Sequence, residues 1–130
     1  MSHPEIENLA RGKYLSLTTF KKDGSEVSTP VWVARDGDEL VVITDATSGK
    51  AKRIRNNPNV RLAPCDMRGR ITGPSIDAQA HLTDSTGTQA VGAQVKRKYG
   101  LAFAAIGWLE KLRRQAGDSV GIRISIGADR

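Results

Sequence analysis

Apolar and polar positions along the chain follow two alternating periods. Over Pro4–Arg11 the apolar residues Ile6, Leu9 and Ala10 share one face of a helix, and Gly12 marks its end. Over residues 13–20 the period shortens to two, with Leu15, Leu17 and Thr19 on one side. Lys21-Lys22-Asp23-Gly24 supplies a turn, after which residues 26–35 alternate again, with Val27, Thr29, Val31 and Val33 together. These two segments read as a β-hairpin. A tight turn at Asp36-Gly37-Asp38 leads into residues 40–44, which are apolar at nearly every position and are expected to form a central strand.

The period then lengthens. Ser48 is placed to cap a helix over Gly49–Asn56 with Ile54 inward, and Asn57-Pro58 ends it. Residues 60–64 return to strand, and residues 67–74 carry two glycines and a proline and read as a loop. Ile76, Ala78, Ala80 and Leu82 point inward along a fifth strand. Residues 86–99 and 108–116 read as helices, the second with Leu109 and Leu112 inward. In the last strand, Val120, Ile122, Ile124 and Ile126 alternate with Gly121, Arg123, Ser125 and Gly127. Six strands with few, short helices predict a mainly β fold, a small antiparallel barrel whose closure removes exposed strand edges. At 130 residues the chain suits a single domain over residues 1–130.

Composition narrows the class. Hydrophobic residues at 38% and charged residues at 26% suit a folded globular chain rather than a disordered one. No apolar run approaches the roughly 20 residues of a membrane helix, and the polar, acidic start is unlike a signal peptide, so no membrane partner and a cytoplasmic location are expected. Cys65 is the sole cysteine, which leaves no internal disulfide.

Charge changes the picture more. Residues 49–70 carry seven basic side chains (Lys50, Lys52, Arg53, Arg55, Arg61, Arg68, Arg70) against Asp66 alone, a local excess of +6 equal to that of the whole chain. A concentrated positive field calls for a concentrated anion. Where a buried strand runs through Thr44 into Ser48, Gly49 and Lys50 at a helix start, free backbone N–H groups, a hydroxyl and a cation converge as a phosphate site requires. A solvated basic helix capped by Ser48 is the plainer alternative.

Other chemistry is poorly supplied. His3 and His81 are the only histidines and no cluster has ligand spacing, so no metal site is expected. Cys65, at a strand end, reads as a small buried hydrophobe. Residues 69–73 have two glycines but no strand-to-helix context, and form a turn rather than a nucleotide loop. Trp32 points opposite to Val31 and Val33 and is expected at a subunit interface.

Ser28-Thr-Pro-Val-Trp-Val33, a following strand ending in Thr44, Ser48-x-Lys50 and the Asn-Pro close together resemble the split β-barrel superfamily that includes pyridoxamine-phosphate oxidase and the deazaflavin-dependent reductases. Thr44-Asp-x-x-Ser48-Gly-Lys50, Pro64-Cys-Asp and Gly69-Arg-x-x-Gly-Pro74 further resemble a group of coenzyme F420-dependent enzymes of actinobacteria. The resemblance implies a six-stranded split barrel acting as an F420-dependent oxidoreductase on a small organic substrate. It implies a homodimer with the cofactor at the interface. On that reading Thr44 touches the ring or ribityl chain and Ser48 and Lys50 hold the phosphate. Ser28, Thr29, Pro30 and Val31 line the ring edge, with apolar support from Ile43.

Where the flavin-phosphate oxidases of that superfamily carry arginine, this chain has Ser28 and Gly49, which favours F420 over the alternative cofactor FMN. F420 carries a phospholactyl group and a glutamate tail, whose several negative charges would make use of the additional cations Lys52, Arg53, Arg55 and Arg61. The resemblance implies hydride transfer, for which no catalytic triad is needed; Tyr14, Tyr99 and His81 are available proton donors, and none is assigned a catalytic role. A heme or cofactor carrier on the same fold is one competing reading. A nucleic-acid binder is another, disfavoured because the basic segment contains no aromatic residue on which bases could stack.

Overall fold

The computed structural model of the chain describes residues 4–105 and 119–126. Its elements are α1 (Pro4–Arg11), β1 (Tyr14–Phe20), β2 (Glu26–Trp32), β3 (Ala34–Asp36), β4 (Glu39–Asp45), α2 (Gly49–Asn56), β5 (Asn59–Cys65), β6 (Ile76–Leu82), α3 (Ser85–Ala105) and β7 (Ser119–Ile126). The seven strands form one antiparallel sheet in the order β2-β1-β5-β6-β7-β4-β3.

That order forces closure. The edge strands β2 and β3 are joined by Val33 alone. Laid flat, seven strands about 4.8 Å apart would separate those edges by roughly 29 Å. The two steps from Trp32 to Ala34 reach at most about 7 Å. The sheet must therefore curl until its edges meet, and because β2 and β3 pair with β1 and β4 rather than with each other, the result is a split barrel.

The fold is mainly β with few helices, as expected, but with seven strands instead of six. The single strand expected over residues 26–35 divides at Val33. Alternation runs unbroken through that residue, which is fully buried, so the side-chain pattern carries no mark of the change of partner.

Inward positions of each strand supply the core: Leu15, Leu17, Leu40, Val42, Val60, Leu62, Ile122 and Ile124 are all buried. Two short helices close the ends of this core. α1 inserts Ile6 and Leu9 against β3, β4 and β5, and α2 inserts Ile54 against β1 and β6. Each such side chain contributes about 1.5–3 kcal/mol on burial.

α3 lies on the outside of β3, β4 and β7, with Val91 and Val95, one helical turn apart, against Ala34 and Val41. It approaches β7 closely at Gly121, where a Cβ would stand 2.9 Å from Val91 Cγ2. α3 begins and ends beyond the expected 86–99, and the helix expected over 108–116 lies outside the described residues. Trp32 does point away from Val31 and Val33, but it is half-buried against the α3 cluster, so part of its apolar surface is used within the chain. No described helix is long and apolar enough to cross a membrane.

Candidate functional site

The turn from β4 into α2 is built by side chains. Asp45 accepts the backbone N–H of Thr47 at 2.8 Å and its hydroxyl at 2.7 Å, and its own carbonyl accepts the N–H of Ser48 at 3.0 Å. Those bonds from Thr47 hold the Asp45 carboxyl below the usual carboxylate range. Ser48 is delivered in an extended conformation to the N-cap, where its Oγ accepts the N–H of Ala51 at 3.2 Å. The N–H groups of Gly49 and Lys50 are left at the open, positive end of the helix.

Two cations converge there. Lys50 is half-buried, and its ammonium is pushed down from the ordinary lysine value, first by desolvation and then by the charge of Arg53, with Asp45 opposing. Arg53 folds back toward the first turn. Its Nε donates to Thr19 Oγ1 at 2.5 Å, and its Nη1 lies 2.6 Å from where a Cβ on Gly49 would stand. The guanidinium thus fills the space that a side chain at position 49 would need.

The other basic residues are engaged differently. Arg55 donates to the carbonyl of Ala46 at 3.2 Å and ties down the β4–α2 turn. Arg61 pairs with Glu26 at 2.8 Å and Asp77 at 3.7 Å and lies over the Phe20 ring at 5.6 Å. Arg70 lies 3.9 Å from Asp66, and Lys52 and Arg68 are exposed. The excess of positive charge is therefore concentrated on α2 more tightly than the sequence count suggests.

A second feature lies on the outer face of β2, β1 and β5. Register sets Ser28 beside Thr18 and Arg61, and Pro30 beside Ser16 and Ala63. Ser16 and Thr18 are buried although they face outward, because the segment after β5 folds over them. Asp66 fixes that segment by accepting the N–H groups of Arg68 and Arg70, both at 2.9 Å, and Gly69, at a φ of 87°, passes close to Pro30. Between segment and strands lies a cavity of about 270 Å³ lined by Ser16, Thr18, Ser28, Arg61, Ala63 and Ser75 among others. Thr18 and Ser28 share a 2.6 Å hydroxyl hydrogen bond on its floor. Small side chains make this floor a flat shelf.

The expected site residues divide among four places. Ser48, Gly49, Lys50 and Arg53 come together at the start of α2, and Arg55 is turned to Ala46. Ser28 and Pro30 lie on the shelf. Thr29 and Val31 face the other side of β2, with Val31 against the barrel core, and Thr44 follows Val42 on the inward side of β4. Ile43 faces outward and packs with the α3 cluster. Val31 and Ile43 thus do not form one apolar surface for a ring; successive positions on a strand face opposite sides, and these two fall on opposite sides of the sheet.

The shelf and the helix start lie on opposite faces of β1, Thr18 on the outer and Thr19 on the inner. Thr19, the acceptor for Arg53, pairs with Val27, and Thr18 pairs with Ser28 one position along. Thr19, Thr18 and Ser16 were not among the expected residues, although the hydroxyls at outward positions 16 and 18 were a readable signal. Among the described residues, no group of three or more His, Cys, Asp or Glu could hold a metal ion.

The described residues thus form a split barrel with two cations at the start of α2 and a cavity floored by small side chains on the outer face of β2, β1 and β5. Residues 3–127 match the family model described as pyridoxamine 5'-phosphate oxidase, and the chain belongs to that family. No curated protein matches the chain significantly. Among solved structures it is similar to the conserved hypothetical protein Rv2991 from Mycobacterium tuberculosis, at 24% identity and a TM-score of 0.72, covering 98% of this chain and 81% of that one. It is also similar to the heme storage protein HutZ from Vibrio cholerae (19% identity, TM-score 0.67, 97% and 91% covered). A further similar structure is an F420 reductase (20% identity, TM-score 0.60, 94% and 93% covered). Likeness at these identities speaks for the fold.

Proposed function

We propose that this chain is an oxidoreductase that uses coenzyme F420 to transfer hydride to or from a small organic substrate. The observation that carries the reading is the convergence of Lys50 and Arg53 at the open end of α2. Two like charges within reach of each other, one half-buried and depressed by the other, cost free energy that a bound phosphate would relieve. Ser48 keeps its hydroxyl proton to donate while its oxygen caps the helix.

The residues present fit such a cofactor. Arg53 supplies the cation that the family's oxidases place at position 49, so Gly49 marks a relocated arginine and not a missing one. The departure at Ser28 remains: its hydroxyl is paired with Thr18, and the Arg61 guanidinium that lines the same cavity is paired with Glu26. The ring would lie on the shelf over Ser28 and Pro30, with Lys52 and Arg55 nearest the anionic tail; Thr44, expected at the ring, faces the barrel interior instead. When bound, the deazaflavin supplies the hydride chemistry, and the protein's task is to hold donor and acceptor together and exclude water. On this reading two copies of the chain share the site, and exposed Met67 and Ile71 at the rim of the shelf offer apolar surface for the pairing.

The pairing of Arg61 with Glu26 and Asp77 breaks the basic segment, which favours a compact anion over a polynucleotide. The test is titration of the purified protein with F420, FMN and heme. F420 should bind at least about tenfold tighter than FMN, roughly 1.4 kcal/mol. Lys50→Ala should weaken binding by about 1.5–3 kcal/mol without unfolding the chain. Tighter binding of FMN or heme, or an unchanged affinity in K50A, would refute the assignment.

A further inference from the structure

Lys98 stands apart from this site. It projects from α3, and its Nζ lies 2.6 Å from the carbonyl oxygen of Ala10, 2.7 Å from that of Gly12 and 2.7 Å from that of Val33. An ammonium has three N–H donors, and here each has a backbone acceptor. Gly12 and Val33 lie just past the Tyr14–Trp32 pair that ends the β1–β2 ladder, so the ammonium ties the end of that ladder to the close of α1. Ala10 and Gly12 close α1, where helix carbonyls lack intrahelical partners and the dipole is negative. Val33 is the lone residue between the two edges of the sheet.

The elements on either side depend on this contact. α1 has eight residues, too few to persist as a helix by itself, and is held to the barrel by Ile6 and Leu9. A second charged contact of α1, Glu7 with Arg35, is long at 4.0 Å and exposed. α3 is anchored to the outer sheet by Val91 and Val95, so Lys98 works from a fixed base.

We propose that Lys98 is a catch: its ammonium holds α1 in the end of the barrel and fixes the seam at Val33, making α1 a plug whose release is governed from α3. Releasing the catch would withdraw the ammonium from the exposed carbonyls of Ala10 and Gly12 and the part-buried carbonyl of Val33, and open the interior where β1 begins. That end adjoins the Tyr14, Trp32 and Cys65 row of the shelf. The inference stands independently of the cofactor assignment.

Hydrogen exchange on the intact chain tests it. In Lys98→Met, amides of residues 4–12 and 31–35 should exchange at least about tenfold faster, the scale of one lost charge-assisted hydrogen bond. Exchange in α2 and along the β5–β6 ladder should stay at the wild-type rate. Val91→Ala loosens the base from which Lys98 works without removing the ammonium, so it should speed exchange in α3 and β4 and, to a smaller extent than Lys98→Met, in α1. An α1 that exchanges at the wild-type rate in K98M, or one opened equally by V91A, would overturn the proposal. Should K98M not fold, Lys98→Arg carries the same test. A planar guanidinium cannot direct three donors from one point, so the same two segments should open, and their protection at wild-type level would overturn the catch.

Discussion

Gly49→Ala sets two effects of opposite sign against each other. In the first turn of a helix, replacing glycine by alanine stabilises by a few tenths to about 1 kcal/mol through backbone entropy and helix propensity. The new Cβ would stand 2.6 Å from Arg53 Nη1 and 3.4 Å from Arg53 Cζ, well inside contact distance. The guanidinium is the free end of a flexible side chain and will move, leaving the 2.5 Å bond to Thr19. Because Arg53 is half-exposed, water replaces that bond and the loss to the fold is below the roughly 1.5–3 kcal/mol of a desolvated charged hydrogen bond. Stability without ligand should therefore change by less than about 1 kcal/mol. Anion affinity should nonetheless fall about tenfold, since the second cation has left the helix start. Thermal melts without ligand, paired with calorimetric titration of F420 at fixed ionic strength, read both quantities. Unchanged affinity in G49A would refute the claim that Arg53 faces the anion. A large loss of stability would show that the Arg53–Thr19 contact is structural first.

Three further outcomes are expected. Gly121→Ala would press a methyl against Val91 Cγ2 at 2.9 Å and Thr83 Oγ1 at 3.0 Å, and should cost about 1–3 kcal/mol in chemical denaturation with ligand affinity unaltered. Lys50 titrates below 10.5 in the folded chain, so the folded state penalises its charged form. That penalty applies in full at neutral pH and lifts as pH rises from the depressed value toward 10.5, while anion affinity falls over the same window; the wild-type minus Lys50→Met difference in stability against pH should show this rise. Asp66 titrates below 3.8, chiefly through the N–H of Arg70, so its contribution is present above that pH and is lost as pH falls through the depressed value; Asp66→Ala should show faster exchange in residues 66–72 already at neutral pH.

Much of the architecture was legible because inward positions recur every second residue, and most strand bounds emerge within a residue or two of their expected places. The division at Val33 was not, since a change of hydrogen-bonding partner leaves the alternation of Val31 and Val33 intact. Residues 40–44 are apolar on both faces, so their pattern could not assign Ile43 to the α3 side. The capped, cationic start of α2 was visible as Ser48 and Lys50 after a strand. That Arg53 reaches back over Gly49 was not, because helical periodicity fixes a face but not the path of a long side chain. Nor could it be seen that Arg61 is neutralised: Glu26 and Asp77 are distant in sequence and meet it only through strand register.

The place of β7 bears on how the chain is made. Among the described residues it is the last strand in chain order, yet it lies between β6 and β4 and pairs with both. During synthesis, β1, β2, β5 and β6 can assemble as one ribbon and β3 with β4 as another, but each ends in an open edge until residues 119–126 emerge. A ribosome stalled before that point would display two unpaired strands, the condition under which nascent chains associate edge to edge. Insertion of β7 between two preformed ribbons makes completion of this barrel a late, long-range event, and the interval before it is when the chain most needs protection from its neighbours.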